Sequence, residues 1–327
     1  MTTGFDPGGI GLRRAVFVVS VVGLLLVPGG AGRSVAPGWS RGSPPTVTVA
    51  TLPLEPAALA FYAKDKGFFA KEGIDAKVLV VSDPAQLLAA LLSGEAQFSG
   101  FNIGGAAVLK SRNAPIRMVA SGAMYRPDAP TTALVAAPGR HIKRARDLVG
   151  KRIAIDATNT IAHIGLLKWL KTNGVSAGDV ELVTMPFAQM LGPLGRGDVD
   201  AAVLPEPYLT LGLQRRATRI AYFMNAVCAH PCLATLWLAR RDMDAVVAAR
   251  FRNGIGDAAR WANDPRHDAA SGRILAKYAS LDPKLIAKMR RTRFADRFRT
   301  SVAQPWIDAF AEFGVIPASF RAIELVK

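Results

Sequence analysis

The residues in this chain able to grip or transform a small molecule lie on short polar loops between apolar runs. One such loop, Asp156 to Thr160, joins the run Arg152–Ile155 to a segment whose Ile161, Ile164, Leu167 and Leu170 recur at helical spacing and which closes on Gly174. A strand that passes into a helix through Thr158, Asn159 and Thr160 leaves backbone N–H groups free, where an anion gains about 0.3–1 kcal/mol. The same side chains also suit capping their own helix, so the pattern leaves both uses open. A second loop, Gly100-Phe101-Asn102-Ile103-Gly104-Gly105, follows the short apolar stretch ending at Ser99. Its glycine spacing is that of a nucleophile elbow, but an asparagine stands where serine is needed; a carboxamide suited to holding a ligand replaces the nucleophile. Asn102 and Thr160 are therefore the leading candidates for ligand contact.

The other polar candidates each carry a structural alternative. Glu206, beside Pro207, equally suits a helix cap. His163, on the first turn of an apolar helix, equally suits a half-buried structural histidine, and Tyr125 equally suits packing at a crossing. Glu55, Asp83 and Glu206 would all repel an anion if they faced it, which leaves room for a zwitterion or a neutral heteroaromatic ring. Cys228 and Cys232 form the pair CAHPC and read as structural, free or bridged; His141, His163, His230 and His267 are too scattered for a metal site. There is no H-E-x-x-H, no P-loop, no EF-hand loop and no G-x-G-x-x-G, so nothing argues for catalysis, a metal or a cofactor.

The chain must bury enough apolar surface to position these loops. Its 327 residues are 50% hydrophobic and 20% charged, which suits one large or two ordinary α/β domains. Lys and Arg outnumber Asp and Glu by 41 to 25, giving a formal charge of +16. Aromatics are only 8% and no nucleic-acid module is present, so the charge reads as a basic background, with no nucleic-acid partner. Arg13-Arg14 precedes an apolar run, Ala15 to Val27, and small residues follow. Residues 1–36 are expected to be a cleaved export signal, too short for a membrane span and without a cysteine for a lipid anchor, so the protein reads as exported.

Residues 37–46 read as a linker, 47–124 as the first part of one lobe, 125–229 as a second lobe, and 230–327 as a return crossing with helices packing on the first lobe. Strands at Val47–Ala50, Ala76–Val81, Gln97–Ser99 and Ile116–Ala120 alternate with helices, the first helix running from Ala57 to about Ala70. After an irregular stretch, Ser121–Pro130, strand and helix signals alternate again to residue 221, as expected of parallel βαβ units. Leu233–Leu238, apolar and strand-like, reads as the return crossing, and Lys288–Arg299 as a solvated, basic helix face. In open sheets of this kind ligands bind at the carboxyl ends of the strands, and two lobes joined by two crossings make a cleft.

Gly67-Phe68-Phe69-Ala70-Lys71-Glu72-Gly73-Ile74-Asp75, then Leu91-Leu92-Ser93-Gly94-Glu95-Ala96-Gln97-Phe98, resemble the first lobe of the nitrate/sulfonate/taurine substrate-binding proteins of ABC importers. That family also holds binders of pyrimidine-type thiamine precursors. The resemblance continues through Asp147–Ala154, Thr160-Ile161-Ala162-His163, Gly197–Ala202 and Glu206-Pro207-Tyr208, over roughly residues 47 to 240. It implies a type II periplasmic binding protein fold, two doubly wound α/β lobes joined by two crossings. It further implies a monomer that delivers a small solute to an inner-membrane permease. Carried over by position, ligand contacts would come from Leu54 and Glu55; Ser99, Gly100, Phe101 and Asn102; Met124 and Tyr125; Thr158, Asn159, Thr160 and His163; and Glu206 and Tyr208. A small anion such as an aliphatic sulfonate, taurine or nitrate is the expected ligand, a pyrimidine the alternative. A pyrimidine-synthase-like enzyme on the same scaffold is disfavoured because its Cys-rich motif is missing.

Overall fold

The computed structural model describes residues 43–327; the expected export signal and most of the expected linker lie outside the described residues. In chain order the first stretch gives β1 (Thr46–Thr51), α1 (Leu59–Asp65), α2 (Phe68–Lys71), β2 (Asp75–Val80), α3 (Pro84–Ser93), β3 (Phe98–Asn102), α4 (Ile103–Ser111) and β4 (Ile116–Ser121). The middle gives β5 (Ala123–Tyr125), β6 (Thr132–Ala136), β7 (Arg152–Ile155), α5 (Ile161–Thr172), β8 (Glu181–Thr184), α6 (Phe187–Arg196), β9 (Ala201–Pro205), α7 (Tyr208–Gln214) and β10 (Thr218–Ala221). The remainder gives β11 (Cys232–Leu233), β12 (Thr235–Arg240), α8 (Ala245–Ala262), α9 (Asp268–Ala279), α10 (Pro283–Ile286), β13 (Arg293–Phe294) and α11 (Thr300–Glu312).

Two five-stranded sheets result, ordered β2-β1-β3-β12-β4 and β8-β7-β9-β6-β10. Position by position they follow one rule. The first three strands of each half are parallel, and the strand that arrives from the other half inserts antiparallel beside the third. It then pairs antiparallel with the fourth. The strand expected within Leu233–Leu238 forms, as the end of β11 and the first part of β12. β12 sits inside the first sheet, with Leu236, Trp237, Leu238 and Ala239 buried, which is why the run is continuously apolar. For the same reason neither sheet is purely parallel.

Two further expectations change. The helix expected over 57–70 is broken: Glu55–Ala57 forms a 3-10 turn, and α1 and α2 part at Gly67, whose φ of 75° favours glycine. The basic run 288–299 is not a helix face. Thr292 and Phe294 are buried between basic neighbours, a period-2 pattern, and β13 pairs antiparallel with β5.

Apolar packing explains the helix positions. Phe98 stacks on Phe251 with ring centroids 3.8 Å apart, and Phe69 on Phe251 at 5.4 Å, which seats α8 on the first sheet. α11 lies against α4 where Gly104 leaves room for the buried Phe310 ring; a Cβ there would meet it at 1.9 Å. Cys228 and Cys232 are disulfide-bonded, both buried, just where the chain returns to β11.

Candidate functional site

A cavity of about 100 Å³ opens between the two sheets. Its wall is made of segments at one end of each sheet. Leu52 and Leu54 follow β1, Pro84 follows β2, and Gly100 to Asn102 close β3; Asp156 and Thr160 follow β7, Phe187 follows β8, and Pro205 closes β9. The antiparallel strands enter at that same end, bringing Thr131 and Thr132 before and into β6, and Ala234 and Thr235 before and into β12. Both sheets therefore present strand carboxyl ends to one space, the place where open α/β sheets bind ligands.

Of the expected contacts, Leu54, Gly100, Phe101, Asn102, Met124, Tyr125 and Thr160 line this cavity. Asn102 and Thr160 come from opposite halves and are also N-caps. Asn102 Oδ1 accepts from Gly105 N at 2.8 Å at the start of α4, and Thr160 Oγ1 accepts from His163 N at 3.2 Å at the start of α5. The two readings left open by the sequence thus coexist in the same side chains. Tyr125 donates its hydroxyl to Asn225 Oδ1 at 2.5 Å, and burial raises its pKa above the ordinary tyrosine value.

The rest of the expected set lies elsewhere. Ser99 is buried and donates to Leu87 O; Thr158 and Asn159 are exposed; Tyr208 packs in the core of the second sheet. His163 Nδ1 accepts from Asn159 N at 3.1 Å, a structural bond of the neutral ring, and desolvation lowers its pKa. Asp83 caps α3 through Gln86 N and does not face the cavity. Glu55 is fully buried. Its carboxylate accepts from Arg291 Nε at 2.8 Å, Arg291 Nη2 at 3.2 Å, Tyr62 Oη at 3.1 Å and Thr292 N at 3.2 Å. Glu206 accepts from Thr210 N at 3.0 Å and Thr210 Oγ1 at 2.9 Å, and from the backbone of Arg290. Burial, outweighing those hydrogen bonds, carries the Glu206 carboxyl up to about 7. The two glutamates thus clamp residues 290–292 from opposite halves, and Glu55 N also donates to Glu206 O at 3.2 Å.

The cavity adds residues that were not expected. Asp156, the first residue after β7, has its carboxylate held by the Thr160 hydroxyl at 3.0 Å. Desolvation raises it to about 6 in spite of that bond. It was findable as the only acid of the loop already singled out; Trp237 and Thr235 were not, because their place depends on the insertion of β12. The remaining wall is mostly apolar and carries no Lys or Arg. An adjoining polar hollow of about 220 Å³ shares Met124, Thr131 and Thr292 with it and is lined by Arg126, Arg291, Arg293 and Asp268. Among the described residues, no group of three or more His, Cys, Asp or Glu is placed to hold a metal.

This topology is that of the periplasmic binding protein fold. The structure superposes on the alkanesulfonate-binding protein SsuA from Xanthomonas axonopodis pv. citri bound to MOPS with a TM-score of 0.71. That alignment has 18% identity and covers 87% of this chain and 99% of that one. The fold is not confined to binders: the desulfurization enzyme DSZB matches with a TM-score of 0.63 and 16% identity over 86% of this chain and 96% of that one. In sequence, residues 57–245 match the family model described as NMT1/THI5 like, and the chain belongs to that family. A taurine-binding periplasmic protein of Escherichia coli (strain K12) is 31% identical over 153 residues, 47% of this chain. The match spans 45% of that relative's length.

Proposed function

We propose that the protein is the extracytoplasmic solute-binding component of an ABC importer. Exported and freed of its signal, it works as a monomer that captures a small organic anion between its two halves and passes it unchanged to a permease. The observation that carries this reading is the single cavity walled by strand ends of both sheets, with Asn102 from one half and Thr160 from the other. The sequence relationship to a taurine-binding protein and the fold shared with an alkanesulfonate binder support the class. The wall offers Asn, Asp, Thr and Tyr side chains, polar groups that can orient a bound solute.

The chemistry of the wall narrows the ligand. Nitrate alone is a poor fit to an apolar cavity that holds Asp156 and no cation. A taurine-like or longer aliphatic sulfonate fits better, its carbon body in the cavity and its head toward the arginine-lined hollow. Asp156 also supports a second reading, since a carboxyl in an apolar setting suits the ring amino group of a pyrimidine-type thiamine precursor. Thermal shift and calorimetry against taurine, alkanesulfonates, nitrate, bicarbonate, carboxylates and pyrimidines decide between them, with recovery of the bound compound afterwards. A midpoint that climbs with RT ln(1 + [L]/Kd) and an unaltered compound are expected. A panel without any shift, or a chemically changed compound, would sink the proposal.

A further inference from the structure

The two cysteines stand where separate parts of the fold meet. Cys228 follows the 3-10 turn Phe223–Ala226, which packs on α5 at Gly165; a Cβ there would meet Phe223 at 3.2 Å and Met224 at 3.3 Å. Cys232 opens β11, which belongs to the small sheet β11-β5-β13 and to neither five-stranded sheet. Between them Ala229, His230 and Pro231 are exposed and make no backbone–backbone hydrogen bond among the described residues. The disulfide is therefore what fastens the two ends of this loop together.

Both ends of the loop reach the solute cavity. Met224 lines it from the turn, and Cys228 N donates to Met224 O at 2.9 Å. Asn225, next along the turn, accepts from the hydroxyl of Tyr125, which lines the cavity from β5. On β11, Cys232 is the register partner of that same Tyr125, and Leu233 that of Met124, another wall residue. The contacts thus close a ring: Tyr125 to Asn225, along the turn to Cys228, across the disulfide to Cys232, and back to Tyr125 through the strand pairing. One covalent link in such a ring removes the freedom of the exposed loop, so the Tyr125 hydroxyl meets a partner already in place. Neither cysteine lines the cavity itself, so their part in the site is indirect.

We propose that the Cys228–Cys232 disulfide is a positioning element of the inter-sheet cavity, holding Tyr125 and Met224 where they meet a solute. This rests on the reading of that cavity as the solute site and goes beyond it, because the quality of the site then depends on a bond outside its wall. A chain without the bond keeps its fold and loses the fixed wall.

The test joins hydrogen exchange, read peptide by peptide, with calorimetry using taurine as the probe. In the double variant Cys228→Ala/Cys232→Ala, amides of 123–125 and 223–234 should exchange at least about tenfold faster, while those of β1 and β7 keep the parent's rates. Taurine affinity should fall about tenfold; in Tyr125→Phe, which keeps the disulfide and lacks the hydroxyl, removing the disulfide should cost only about twofold more. The folded parent opened by a phosphine reductant should match the double variant, which covers a variant that does not fold. Unchanged exchange at 123–125 and 223–234 would overturn the proposal. So would exchange that quickens everywhere alike, the mark of a disulfide that only stabilises, or an equal loss of taurine affinity with and without the Tyr125 hydroxyl. The exchange measurement needs no ligand, so a parent that ignores every solute would sink the reading of the cavity while the placing of its wall is still decided.

Discussion

At the scale of single residues, the cavity concentrates its polarity in a few side chains that already serve the fold. Asp156 shows this through proton linkage. Its folded carboxyl lies near 6 against an ordinary 3.8, so between those values the folded state holds more protons than the unfolded one. Stability from this group therefore falls as pH rises through that window and is lost above it. Asp156→Asn should be more stable than the parent by about 1–3 kcal/mol near neutral pH, and the gain should vanish below about pH 4. Urea unfolding across that range checks it; a gain independent of pH would deny that the carboxylate is strained by burial. Asn102 and Thr160 behave otherwise. As caps, each loses about 1 kcal/mol of stability on change to alanine, so an alanine variant mixes a fold defect with any ligand defect. Asn102→Ser keeps a good cap and removes the carboxamide. It should retain the urea midpoint while weakening binding of whichever solute the panel identifies by about 1–3 kcal/mol.

At the scale of elements, two contacts decide how the cavity is framed. α4 and α11 touch through Gly104, where any side chain would enter the Phe310 ring. Gly104→Ala should cost about 1–3 kcal/mol or more, and pairing it with Phe310→Leu should recover part of the loss. A midpoint unchanged by the single substitution would mean that α11 shifts freely. The Glu55–Arg291 pair is of another kind from the surface pairs such as Lys277–Asp65. Arg291→Met would strand a buried carboxylate and should cost about 3–5 kcal/mol, whereas Lys277→Met should cost under about 1. Comparing the two by chemical denaturation tests this ranking. These contacts also explain what could be read in the sequence. Strand and helix order was legible because apolar runs and caps are local; Asp83 before Pro84 announces α3 and does cap it. Glu55 was visible as a polar residue beside a strand end. Its partner Arg291 lies 236 residues away, and no local pattern tells a ligand contact from a clamp at that separation. The place of β12 in the first sheet was hidden in the same way. A strand inserted from the far end of the chain has the apolar run of any buried segment, and only pairing shows where it belongs.

At the scale of the molecule, two sheets do not make two independent folding units. One continuous apolar cluster runs from Ala50, Leu91 and Ile103 of the first half through Trp306 and Phe310 of α11 to Ile153, Ile164 and Val203 of the second. α11 is tied to α5 as well, with Glu312 receiving Lys168 at 2.6 Å and Lys171 at 3.0 Å. The clamp on residues 290–292 adds a polar junction on the cavity side. A half that melted alone would have to tear this core open, exposing large buried side chains in the half left folded, and that cost grows with the apolar area. Unfolding should therefore be one cooperative step. Trp237, Trp261 and Trp306 report on the first sheet and the C-terminal helices, and Trp169 on α5 of the second half. Fluorescence of the parent, fluorescence of a Trp169→Phe variant and far-UV dichroism should then give coincident urea transitions. Binding of a solute in the cavity should move all of them together by the same free energy. Transitions that separate, or a solute that shifts only the one seen through Trp169, would show that the shared core does not couple the halves.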